Sequence, residues 1–191
     1  MRTLVVTILA VIFAVAANAQ VEKSEVVTLT ARLNTTMALT LDNSPITFEF
    51  NTLDEYKNGL GGIKGDYRSA GSVSSTSNWK LSYKANDAFT HADGETVMPL
   101  DNVGLSAEFT GSNKVSNKAA DAPLALSSEK REIIGHDGNN SNAGDDEANA
   151  FVIYWEMGTA KGDMNSKSIF EQDLKKGEYQ TQVEFIATEV L

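Results

Sequence analysis

The sequence predicts an all-β protein built as an antiparallel β-sandwich. Three observations carry this expectation. Apolar and polar residues alternate at period two in segment after segment; no stretch sustains a long helical period; and Gly, Asn, Asp and Ser punctuate the runs at short intervals. Many short strands without intervening helices stack most simply as two facing sheets. A closed barrel is the alternative.

The chain opens on residues 1–19, which read as a secretory signal peptide. Arg2 supplies the charged start, Leu4–Ala17 is nearly unbroken apolar sequence, and Ala17-Asn18-Ala19 has the A-x-A form of a cleavage site before Gln20. The apolar run is shorter than the roughly 20 residues a membrane-spanning helix needs. The expectation is export to the periplasm, outer surface or extracellular space, with residues 20–191 as one domain and no membrane span after cleavage. Residues 1–19 hold one base and no acid, so their removal takes the formal charge from −10 to −11. That acidity argues against nucleic acid and anionic lipid as partners. Cysteine is absent, so the fold must hold by packing without disulfides. Export without cysteine suits a bacterial envelope protein.

The first strand is expected where Val27, Leu29, Ala31 and Leu33 alternate with Thr28, Thr30 and Arg32. Met37–Leu41 and Ile46–Phe50 repeat the pattern, followed by Trp79–Ala85 and Val103–Phe109. Phe151–Met157 is apolar on both parities, as in a central strand covered on both faces. A last strand runs from Tyr179 to Ala187. Ser72–Thr76, Leu124–Glu129 and Arg131–Ile134 are lesser strand candidates. Thr52-Leu53-Asp54-Glu55 and Ser168-Ile169-Phe170-Glu171 have capping-box spacing, with Gly59 and Gly177 as stops, and predict two short helical connectors. Gly111–Pro123 and Gly135–Asn149 hold little to bury and are expected to be two long, exposed polar loops.

Asp173-Leu174-Lys175-Lys176-Gly177-Glu178-Tyr179, followed by alternating Val183 and Phe185, resembles the ending of exported pilin-like and spore-coat-type sandwiches. Ser77-Asn78-Trp79-Lys80-Leu81 resembles the Trp-containing strand of cell-surface domains with a W-x-L signature. The resemblance implies an Ig-like or pilin-like sandwich at a cell surface. It transfers no functional residue. Two departures stand beside it. The disulfide common in chaperone-assembled pilins is impossible here, and Trp155 is followed by Glu156-Met157 where a second W-x-L motif would stand.

The residues show no catalytic constellation. There is no cysteine, no G-x-S-x-G elbow, and no glycine-rich phosphate loop between a strand and a helix. His91 lies in His91-Ala92-Asp93-Gly94-Glu95, which offers three potential ligands, but the Asp-Gly of a hairpin turn explains the same residues. Asp137, Asn139, Asp145, Asp146 and Glu147 are oxygen donors of the kind calcium collects. As an EF-hand the loop fails, since Asn142 and Ala148 stand where Gly and Glu are needed; a solvated loop has the same composition. Trp79, Tyr83, Tyr154, Trp155 and Tyr179 would make a glycan-stacking platform if at least two of the rings faced water, whereas alternation places Trp79 with Leu81 in the core.

The expectation for function is a non-enzymatic exported structural or adhesive surface protein, with protein partners or self-assembly at the cell surface through β-strand pairing. Val27, Leu29, Ala31 and Leu33 form the core-facing set of the strand most available for exchange. Pairing within its own domain is the alternative for that strand. A glycan- or cell-wall-binding module and a calcium-dependent surface protein are the other two readings.

Overall fold

The computed structural model describes residues 27–42 and 44–190, so the leader expectation falls outside the described residues. The chain divides into two units, Met1–Leu33 and Asn34–Leu191. In the first, the described residues 27–33 form no strand, and their large apolar side chains are exposed. The strand expected over Val26–Leu33 is therefore not formed over the described residues 27–33: alternation says which side chains would share a face, but a strand also needs a hydrogen-bonding partner.

The described residues of the second unit hold thirteen strands: β1 Met37–Leu41, β2 Leu60–Gly61, β3 Arg68–Ser75, β4 Trp79–Ala85, β5 Phe89–His91, β6 Val97–Met98, β7 Val103–Phe109, β8 Ser116–Asn117, β9 Leu124–Ala125, β10 Arg131–Gly135, β11 Ala150–Met157, β12 Tyr179–Gln180 and β13 Val183–Glu189. The first sheet runs β1-β3-β11-β7-β9, with β2 also paired to β11; the second runs β13-β4-β10-β8; the third is β12-β5-β6. Every strand pair is antiparallel. The expected all-β sandwich-like fold is what the chain adopts.

Val73, Leu105, Phe151, Ile153 and Trp155 from the first sheet meet Trp79, Leu81, Tyr83, Ile133 and Ile134 from the second in one apolar core. β11 is central as its two-sided apolar pattern predicts, with β3 on one side and β7 on the other. β3 begins four residues earlier than expected because its positions carry serine and glycine. The reason is local: a Cβ at Gly71 would sit 2.8 Å from Leu41 Cδ1 and from the Phe151 ring. A small residue here lets the Phe151 ring approach the backbone of the neighbouring strand.

Ile46, Phe48 and Phe50 do face the core while Pro45, Thr47 and Glu49 are exposed, yet they join no ladder. Phe48 stacks on Tyr67 at 4.5 Å, so side-chain packing holds this segment where backbone pairing does not. The single strand expected over Tyr179–Ala187 breaks at Thr181–Gln182, and its two parts enter different sheets. Helix α1, Leu53–Asn58, forms behind the Thr52 capping box and ends at Gly59 with φ 75°. Ser168 caps a 3-10 turn over Ile169–Gln172, which stops at left-handed Asp173 rather than at Gly177.

The polar loops depart furthest from expectation. Asn142 and Asn149 are buried, Ala119 is in the core, and Asn117 Nδ2 donates to Ala107 O at 2.6 Å. These loops are tied down by side-chain amides, which satisfy backbone groups as a neighbouring strand would.

Candidate functional site

β13 is the strand whose chemistry remains open. It forms one edge of the second sheet and, among the described residues, pairs only with β4, in unbroken register from Val183↔Ala85 to Glu189↔Trp79. β1 of the first sheet comes near β13 but hydrogen-bonds to β3 instead. Gln182 O accepts from Asn86 N, and Val190 N donates to Asn78 O. Hydrogen-bonded positions recur every second residue in an antiparallel pair. Glu184, Ile186 and Thr188 therefore bond to β4, whereas the N–H and C=O groups of Val183, Phe185, Ala187 and Glu189 point to the free edge.

The side chains on that parity are the inward ones. Phe185 sits between the two sheets, 6.3 Å from the Tyr83 ring and edge-on to Trp155 at 6.0 Å. Val183, Phe185 and Ala187 pack against the core but remain only half-buried. On the outward face Glu184 pairs with Lys84 at 3.2 Å. At the far end, Thr35 Oγ1 donates to Glu189 Oε1 at 3.1 Å. The edge carries no Pro, no Lys and no bulge; its charges are Glu184 on the outward face and Glu189 on the inward parity.

The exchange strand read from the sequence has the complementary character. Val27, Leu29 and Leu33 are 89%, 94% and 96% exposed, and Ala31 and the polar residues between them are exposed too. Among the described residues nothing covers these large apolar side chains.

The acidic loop does not gather its oxygens. Asp137 Oδ1 accepts from the Asn139 and Asn140 backbone N–H groups at 2.9 and 2.8 Å, and Oδ2 accepts from Asn140 Nδ2 at 2.8 Å. The Asn140 side-chain amide, then the Asn140 and Asn139 N–H groups, hold the Asp137 carboxyl down at about 2. Asp145 accepts from Ala148 N, Asp146 accepts from the Ser74 hydroxyl, and Glu147 is exposed. No group of three or more His, Asp or Glu suited to a metal occurs among the described residues. Asp137, Asp145 and Asp146 spend their oxygens on the loop's own N–H and O–H groups.

His91 closes a different interaction. Its Nδ1 lies 3.1 Å from Asp93 N and 3.2 Å from Asp93 Oδ2, and its Nε2 lies 3.1 Å from Lys176 O. Asp93 also accepts from Glu95 N, Thr96 N and the Thr96 hydroxyl, and its Oδ2 lies 2.7 Å from Lys175 Nζ. Lys175 first, then the Thr96 groups and Glu95 N, hold the Asp93 carboxyl well below the usual carboxylate range. This is a hairpin turn latched to the segment before β12. Its donors and acceptors are already used.

The aromatic platform is not assembled. Trp79, Tyr83, Tyr154 and Trp155 are all buried, and Tyr154 lies under cover with its hydroxyl donating to Glu108 Oε2 at 2.8 Å. Tyr179 is half-buried and stands edge-on to His91. A surface depression of about 580 Å³ beside β7 holds one carboxylate, Glu108, flanked by Lys64 and Lys114. It offers no second acid for general acid–base chemistry. No protein-family model matches the chain, and a comparison with curated proteins returns no significant match.

Proposed function

We propose that the protein is a non-enzymatic, exported surface subunit that assembles by β-strand pairing, with Val27–Leu33 as the strand it donates. The supporting observation is the bare alternation of Val27, Leu29 and Leu33. Burying each such side chain contributes roughly 1.5–3 kcal/mol, and a paired strand adds main-chain hydrogen bonds and positional specificity. The leader-like residues 1–19, the absence of cysteine and the acidic balance suit a subunit working outside the cytoplasm.

The test compares the processed chain, which begins at Gln20, with one beginning at Asn34, the start of the second unit. The longer chain is expected to form multimers in analytical ultracentrifugation, and the shorter one to be a monomer with an unchanged β-rich circular dichroism spectrum. Equal assembly by both chains, or a strictly monomeric longer chain, overturns the reading.

A further inference from the structure

We infer that the acceptor for the donated strand is the free edge of β13 on a second copy of the chain, and that the two run antiparallel with Leu33 opposite Val183. This rests on the strand-pairing reading above and names its partner surface.

Length selects the edge. The sheets end at β1 and β9, at β13 and β8, and at β12 and β6. Four of these strands have two residues each, β1 has five, and β13 has seven. The strand read from the sequence spans Val26–Leu33, and of these edges β13 is the one long enough to pair with most of it.

Side chains select the register. With Leu33 opposite Val183, Ala31 faces Phe185 and Leu29 faces Ala187, so the bulkiest ring meets a small side chain on the core side. Arg32 then falls opposite Glu184 on the outer face, where opposite charges on adjacent strands attract. The groups of β13 that point outward, at Val183, Phe185, Ala187 and Glu189, are those that the incoming Leu33, Ala31, Leu29 and Val27 would pair with. The incoming strand covers the half-buried sides of Val183, Phe185 and Ala187.

Direction separates a second copy from the chain itself. Thr35 is held beside Glu189, so a strand leading into Thr35 of the same chain would have to run parallel to β13. That arrangement sets Arg32 opposite Ile186 and forfeits the charge pair.

Because the chain has no cysteine of its own, introduced thiols report pairing without background. Thr30→Cys and Ile186→Cys fall opposite each other in the antiparallel register, at a position not hydrogen-bonded across the new pair, where the two backbones approach most closely. Mixing the two single variants of the chain that begins at Gln20 under mild oxidation is expected to give a disulfide joining position 30 of one copy to position 186 of another, identified by mass spectrometry of the linked peptides. Arg32→Glu is expected to weaken assembly about two- to five-fold, and adding Glu184→Lys to restore it. Assembly that persists in both thiol variants without this disulfide overturns the acceptor assignment while the strand-pairing reading stands. A disulfide within one chain in Arg32→Cys/Ile186→Cys overturns it in favour of parallel self-cover. Assembly by the chain that begins at Asn34 would instead remove the reading beneath it.

Discussion

Asn142 carries the clearest single-residue argument. β10 pairs with β4 from Tyr83 to Leu81 and stops, so Trp79 lies beyond the end of that ladder. The Asn142 side chain takes over: Oδ1 accepts from Trp79 N at 3.0 Å and Nδ2 donates to Trp79 O at 2.9 Å, while its own carbonyl accepts from Trp79 Nε1 at 2.8 Å. One amide thus replaces a missing peptide group, and it is fully buried. Asn142→Ala keeps the indole bond but strands a buried N–H and a buried C=O. The expected cost is about 2–5 kcal/mol, read as a lower urea midpoint at unchanged m-value. Asp93 supports a second residue-scale prediction. Its folded carboxyl lies below the unfolded value of about 3.9, so its contribution is complete above that value and is lost as pH falls through the folded one. Asp93→Asn is therefore expected to lower the melting temperature at neutral pH, with the gap to the parent closing in strongly acidic buffer. A gap that does not narrow as the pH falls below the unfolded value of about 3.9 would show that the turn hydrogen bonds, rather than the charge, carry the effect.

At the scale of elements, what was legible in the sequence follows from what alternation encodes. β4, β7 and β11 read directly because their inward side chains are large and their strands are paired. Ile46–Phe50 shows the limit: the facing of each side chain was legible, but the lack of a backbone partner was not. β3 was half visible because Ser69 and Gly71 are set by the bulk of Trp155 and Phe151 beside them. Trp155 Nε1 in fact donates to Ser69 Oγ at 3.2 Å. The loops misled for a related reason. A count of apolar residues finds little to bury in 135–149, yet Asn142 is buried with its amide fully bonded to Trp79, and Asn149 is buried with Oδ1 accepting from Asn113 Nδ2 while its Nδ2 has no partner. Of the functional candidates, the proposed donor residues were legible as a pattern. The acceptor was not, because a free edge is a property of sheet order, and β13 becomes an edge only once β4 has taken β10 as its other neighbour.

For the whole molecule, charge and apolar burial act in opposite directions on assembly. The chain carries a net charge of −10, so every copy repels the next, and this repulsion opposes any contact between them. In the proposed register the strand contact is mostly apolar: four inward side chains against Val183, Phe185 and Ala187, with Glu189 opposite Val27 and a single Arg32–Glu184 attraction at the rim. Raising the salt shortens the screening length from about 10 Å at 0.1 M to about 3 Å at 1 M. It therefore removes a repulsion summed over the whole surface at the expense of one exposed ion pair, which is worth little in water. Assembly is expected to strengthen as sodium chloride rises, with the weight-average mass in sedimentation increasing at fixed protein concentration. Reductant should change nothing, since no thiol takes part. A fall in mass with salt would mean that attraction between charges, not burial of the Val27–Leu33 side chains, holds the copies together, and the contact would then have to lie on a more charged surface than the β13 edge.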